Sequence, residues 1–147
     1  MEAELQVLDV EACIELLREH SVGRIAVIEN EFPVILPVNF KLVETTNGPA
    51  WIAIRTRRGN VLDRAPIPAA FEIDGYDVSE QHGWSVLVRG TLHHVHPETG
   101  DFAERFDPKP WVGDDRDAWL IIEPFAYTGR RLRSPQHVWA FHPEAYL

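Results

Sequence analysis

The chain opens on a helical period and then changes to a β period. Val10, Cys13, Ile14 and Leu17 recur at the spacing of one helix face, Asp9 stands where a cap belongs, and Arg18 suits the C-terminal end of the dipole. A helix is therefore predicted over residues 9–20, with the acidic start Met1–Glu4 leading into it and Gly23 breaking it. Arg24–Ile28 then starts a β pattern, Glu29–Glu31 reads as a turn, and a second extended run follows from Pro33 to Val43. Proline cannot donate to a ladder, so Pro37 points to an edge, a bulge or a bend. Thr45–Gly48, with Asn-Gly inside it, is a hairpin signal, and Trp51–Arg55 reads as the returning strand. A short helical turn over 59–65 precedes a strand from Ala69 to Ile73, and Asp74–Gly83 reads as a polar loop.

Trp84–Leu92 is the clearest strand, with Trp84, Val86 and Val88 on one face and Ser85, Leu87 and Arg89 on the other. Pro97 opens a short helix through about Phe106, Asp107–Asp117 is a loop, and Trp119–Thr128 is the last strand; Ser134–Leu147 is an aromatic-rich tail without an assignment. About six strands with short connections predict one mainly β domain over residues 1–147 with flanking helices. A small closed barrel is modestly favoured over a sandwich, because closure removes open edges.

Composition sharpens this picture. Hydrophobic residues make up 45% of the 147, and 10% are aromatic, which is too apolar for a disordered chain. No run approaches the length of a membrane span, and the acidic N-terminus lacks the basic start of a signal peptide. A lone cysteine, Cys13, fits a reducing compartment, so a cytoplasmic location is expected. A net charge of −9 repels nucleic acid and anionic lipid, and neither is an expected partner.

Against that acidity, Arg55, Arg57 and Arg58 within four residues need a local explanation. The segment Ile54–Asn60 sits at a strand end and leads into a helical turn. Backbone N–H groups there, the closeness Gly59 allows, the Thr56 hydroxyl and charge-assisted arginine contacts together suit a phosphate. A solvated turn pairing with nearby acids is the commoner use of such a cluster. Trp84, at a strand start, offers a wall for a planar ligand or simply closes a barrel end. His94 and His96 share a strand face, but no third metal ligand falls at a useful spacing. Asp114, Asp115 and Asp117 lack a calcium-loop pattern, and there is no Gly-x-Ser-x-Gly, Walker or Gly-x-Gly-x-x-Gly motif.

Six short motifs occur in a telling order: Val22–Ala26, Leu36–Phe40, Ile54–Thr56 with Gly59, Ala70–Asp74, Gly83–Gly90 and Thr128–Arg131. Over residues 8–133 the chain resembles the pyridoxamine 5′-phosphate oxidase-like FMN-binding split-barrel family, and its small actinobacterial-type members more than the vitamin-making oxidase. The resemblance implies a six-stranded split barrel that forms a homodimer and holds FMN between subunits. The strand matching Pro37, Val38, Asn39 and Phe40 would run along the isoalloxazine. The segment matching Arg55, Thr56, Arg57, Arg58 and Gly59 would approach the phosphate and ribityl chain. Trp84 and Ser85 would contribute from the partner or the groove wall. Family members often carry Arg-Thr-x-x-Gly-x-Lys, and Val61 stands here at the lysine position, a loss of about 1.5–3 kcal/mol of phosphate binding. The implied activity is that of a flavin-dependent oxidoreductase on a small-molecule substrate. The alternatives are a reductase using the deazaflavin coenzyme and a non-catalytic flavin- or tetrapyrrole-binding dimer.

Overall fold

A computed structural model describes residues 4–95, 107–108 and 118–133. The expected helix from Pro97, most of the Asp107–Asp117 loop with its acidic cluster, His96 and the tail from Ser134 lie outside these residues. In chain order the elements are β1 (Glu4–Leu8), α1 (Val10–Arg18), β2 (Val22–Glu29), β3 (Phe32–Val43), β4 (Trp51–Thr56), β5 (Ile67–Asp77), β6 (His82–Val95) and β7 (Ala118–Arg133).

The strands run in the order β1-β7-β4-β3-β2-β5-β6, and β6 pairs back onto β7. Strands β2 to β7 thus close into a six-membered ring, and β1 is added outside it: the split β-barrel expected from the sequence. β7 makes this possible by serving three neighbours. Ala118–Ile122 pairs with β4, Gly129–Arg133 pairs with β1, and β6 takes the whole opposite edge. Between the β4 and β1 stretches, Tyr127 fills the break, and its hydroxyl donates to the Ala50 carbonyl. Helix α1 lies against β7 at this level, with the Cys13 thiol and Leu8 packed so close to Gly129 that a Cβ there would collide with sulfur.

Alternation fills the barrel. Ile25 and Val27 of β2, Ile52 and Ile54 of β4, Phe71 and Ile73 of β5, Val86 and Val88 of β6 and Leu120 and Ile122 of β7 form one buried cluster. Phe40 meets Phe71 edge-on at 4.7 Å between ring centroids. Cys13 and Leu17, four residues apart on α1, plug it from one end. The Asp9 carboxylate accepts from the Ala12 N–H at 2.8 Å and caps the helix.

Several expectations are corrected. Residues 4–8 form a strand rather than an approach to the helix. The helix stops at Arg18, and Gly23 lies inside β2, where the Phe71 ring occupies the space a Cβ would need. The polar loop shrinks to residues 78–81, because β5 continues to Asp77 and β6 begins at His82. Residues 57–64 form hydrogen-bonded turns rather than a helix, and β7 runs on past Thr128 to Arg133.

Pro33 and Pro37 pair with Ile28 and Arg24 on the β2 side, while β4 reaches only Phe40–Val43 on the other. Both prolines therefore occupy a stretch with one neighbour, where a missing N–H costs no ladder bond. No helix among the described residues is long and apolar enough to cross a membrane.

Burial pushes the Tyr127 phenol up to about 12, against about 10 when unfolded. Its contribution is complete below pH 10 and is lost as pH rises toward 12, because the unfolded chain releases the proton first. Thermal melts across that range should show the wild type losing stability more steeply than Tyr127→Phe; equal slopes would contradict the assignment.

Candidate functional site

The early end of the β3–β4 pairing opens a groove on the outside of the barrel, of about 600 Å³. Arg18 closes α1 at one wall, His20 and Ser21 form the link into β2, and Asn39, Phe40, Lys41 and Leu42 of β3 form the floor. Glu44, Asp107 and Pro108 complete it. The volume falls in the range of about 300–1,000 Å³ typical of small-molecule sites.

Each charged wall is braced. Arg18 makes two contacts to the Glu44 carboxylate, at 2.6 and 3.0 Å, across the mouth of the groove. The bond from Arg18, together with its charge, outweighs burial and holds the Glu44 carboxyl below its usual range. Arg55 donates to Asp107 at 3.0 Å, and both side chains are mostly buried, at 18% and 26% exposed. The Arg55 guanidinium also sits 4.9 Å from the ring centroid of Trp119, its direct cross-strand neighbour. The His20 ring meets Trp84 at 4.8 Å, and its Nδ1 lies 2.5 Å from the Leu16 carbonyl. A carbonyl cannot donate, so this nitrogen carries the proton and Nε2 is the ring's remaining polar atom.

The residues singled out from sequence are thus partly assembled. Asn39 and Phe40 line the groove, and Arg55 and Trp84 each stand one contact behind it, through Asp107 and His20. Phe40 is buried and offers the groove little of its side chain, while Val38 is half-buried and Pro37 exposed beyond the groove along β3. Thr56 is buried and alternates onto the inward face with Ile52 and Ile54. Arg57, Arg58 and Gly59 are exposed in the turn that follows. There Gly59, at φ +78°, donates its N–H to Asp63 at 2.7 Å, and the Asn60 N–H goes to the Arg57 carbonyl. Val61 packs against the barrel core.

Ser85 is not brought to the groove within one chain. It lies on β6, between Asp74 and Arg130 in register, and two strands, β2 and β5, stand between it and Asn39, which makes three strand spacings. That is about 14 Å around the barrel at ordinary strand spacing. Its surroundings are polar: Arg24 bridges Glu72 at 3.2 Å and Asp74 at 3.1 Å. Burial, and then the neighbouring Asp74, raise the Glu72 carboxyl despite that arginine.

Sequence reasoning missed Arg18, His20, Lys41, Glu44 and Asp107. The position of Arg18 and His20 at a helix end was readable, but only the fold carries that end to β3. His93 and His94 pair separately, with Glu123 at 3.0 Å and Asp63 at 3.4 Å, and no group of three metal-ligating side chains occurs among the described residues.

A closed six-strand ring with a further strand added outside it defines the class of split β-barrels. The chain belongs to the pyridoxamine 5′-phosphate oxidase family, whose model matches residues 9–131. It is 30% identical over 135 residues to the uncharacterised protein Rv0080 of Mycobacterium tuberculosis, covering 88% of this chain and 86% of that one. The FAD-binding protein of Mycobacterium smegmatis superposes with a TM-score of 0.64 at 30% identity, over 88% of this chain and all of the other (100%). A FAD-binding protein of Mesorhizobium loti shares the fold, with a TM-score of 0.69 at 17% identity, over 90% and 100% of the two chains.

Arg55→Ala leaves the Asp107 carboxylate mostly buried without this partner and should cost about 1–3 kcal/mol in urea unfolding. Adding Asp107→Asn should recover part of that loss. A double variant as unstable as the sum of the two singles would show that the pair is not coupled.

Proposed function

We propose that the groove binds FMN and that the chain is a flavin-dependent oxidoreductase acting on a small molecule. The observation that carries this reading is a groove of ligand size, on an acidic protein, whose walls hold Arg18 and Lys41 with Arg55 directly behind. With Arg55 behind it, the groove has three cations against the two carboxylates Glu44 and Asp107, which suits an anionic ligand, and half-buried Leu42 adds an apolar surface to its floor. The FAD bound by the structural relatives supports a flavin over other planar anions.

When bound, the flavin supplies the two-electron chemistry. The chain's own part is to bind, orient and exclude water. Asn39 would offer its amide to the ring edge, Arg55, held in place by Asp107 and Trp119, would supply charge-assisted contact, and His20 Nε2 would be available as an acceptor. The commitment of the Gly59 N–H to Asp63 and of Val61 to the core favours a second reading, a looser, non-catalytic flavin or tetrapyrrole binder. The longer phosphate-bearing tail of a deazaflavin coenzyme also suits a groove that is open at its end.

The active unit is a homodimer in the cytoplasm. Among the described residues, the Phe32–Val38 stretch of β3 pairs with β2 and with no strand on its other side. The outer face beside that edge is apolar: Ala26 faces Ile35 and Ile28 faces Pro33, with Ile28 65% and Ile35 64% exposed. An open edge and an apolar strip on one chain invite pairing. A second copy suits both, since an isologous contact presents the same strip from each side. The strip runs through Pro37 into the groove, so a partner seated there can complete the site, which accounts for the remoteness of Ser85 in a single chain.

Two measurements check these statements. Titration with FMN, followed by quenching of flavin fluorescence, should show saturable binding, weakened about tenfold or more in Arg55→Ala/Arg57→Ala; an affinity untouched by that pair would leave the arginines out of the site. Light scattering should find a dimer that Ile28→Asp/Ile35→Asp converts to a folded monomer; a monomeric wild type would remove the shared-site model.

A further inference from the structure

The groove has two arginines at hand, and both are engaged. Arg18 is held by Glu44 in a two-point contact, and Arg55 is held by Asp107. Val61 is half-buried against the core and brings no charge to the surface. Lys41 differs. It lies on the floor of the groove, it is exposed, and its ammonium makes no ion pair or hydrogen bond among the described residues.

Its backbone setting fixes its direction. Lys41 pairs with Ala53 on β4, and alternation from the inward Phe40 puts it on the outer face together with Asn39. Residues two apart on a strand stand about 6.6 Å from each other. A ligand that meets Asn39 with its ring edge therefore lies within reach of the long lysine side chain with its charged end. An uncommitted ammonium also costs less to recruit than an arginine already paired with a carboxylate, because no existing ion pair must be broken first.

We propose that Lys41 supplies the uncommitted cation that holds the phosphate of the bound flavin from the β3 side of the groove, in addition to the contact from Arg55 behind it. This rests on the flavin reading given above and adds to it the identity of a phosphate contact. Lysine acts as a point charge, so it selects for a phosphate-bearing ligand without reading the flavin ring.

The test compares riboflavin, FMN and FAD on the wild type, Lys41→Gln and Lys41→Arg by fluorescence quenching, with inorganic phosphate as competitor. Position 41 is an exposed strand site on the outer face, and circular dichroism checks that each variant is folded. Lys41→Gln should weaken FMN about tenfold and leave riboflavin unchanged, Lys41→Arg should restore most of the FMN affinity, and phosphate should compete with FMN in the wild type and Lys41→Arg but not in Lys41→Gln. A comparable loss for FAD would extend the contact to a diphosphate; an unaltered FAD affinity would restrict it to the terminal monophosphate. Equal losses for riboflavin and FMN, or no loss for either, would overturn the role of Lys41 while leaving flavin binding standing. A wild type that binds none of the three would overturn both.

Discussion

The structure depends on how far β3 can stay paired with β4. It follows β2 along Phe32–Asn39 but meets β4 only at Phe40–Val43. A barrel paired along every edge would have no groove there and no open strand. The early parting exposes Asn39 and Lys41 beside the end of α1. It also leaves Pro33 and Pro37 in a stretch that, among the described residues, has a single strand neighbour, a setting in which proline is tolerated, and sets an apolar face beside it. The groove and the exposed apolar face are therefore two results of one change of partner. β7 compensates by holding β4, β1 and β6 together, with Tyr127 bridging to Ala50 where its own edge is unpaired.

Much of this fold is legible in residue patterns. The inward series Ile25 and Val27, Ile52 and Ile54, and Val86 and Val88 have the period of half-buried strands, and each lies inside the barrel. Asp9 caps the helix as its residue type predicts. What failed failed for identifiable reasons. Glu4–Leu8 alternates polar and apolar for only four residues and is mostly exposed, so the signal is short, and pairing with Gly129–Arg133 makes it a strand. Gly23 resembles a helix terminator, yet its lack of a side chain serves the Phe71 ring. Asp74–Asp77 is polar in composition, but an antiparallel neighbour running to His82 keeps it extended.

The site was legible in smaller measure. Asn39, Phe40 and Arg55 stood out from the motif order, and the fold brings them to or directly behind one groove. The arginine-rich turn was expected to offer its backbone donors to a phosphate. Instead Asp63 and the Arg57 carbonyl take two of those N–H groups locally, as short polar side chains in turns often do. Arg18 and His20, Lys41 and Glu44, and Asp107 belong to three separate stretches of chain, and no spacing rule connects the three. Their convergence is a product of tertiary structure alone.

The central claim is that the split between β3 and β4 forms a flavin site. Hydrogen–deuterium exchange of the full chain, with and without FMN, reports on it residue by residue. The account predicts slower exchange on FMN addition in two segments, residues 39–42 of β3 and residues 55–60 after β4. Exchange unchanged in both, or slowed only in segments remote from the groove, would contradict it.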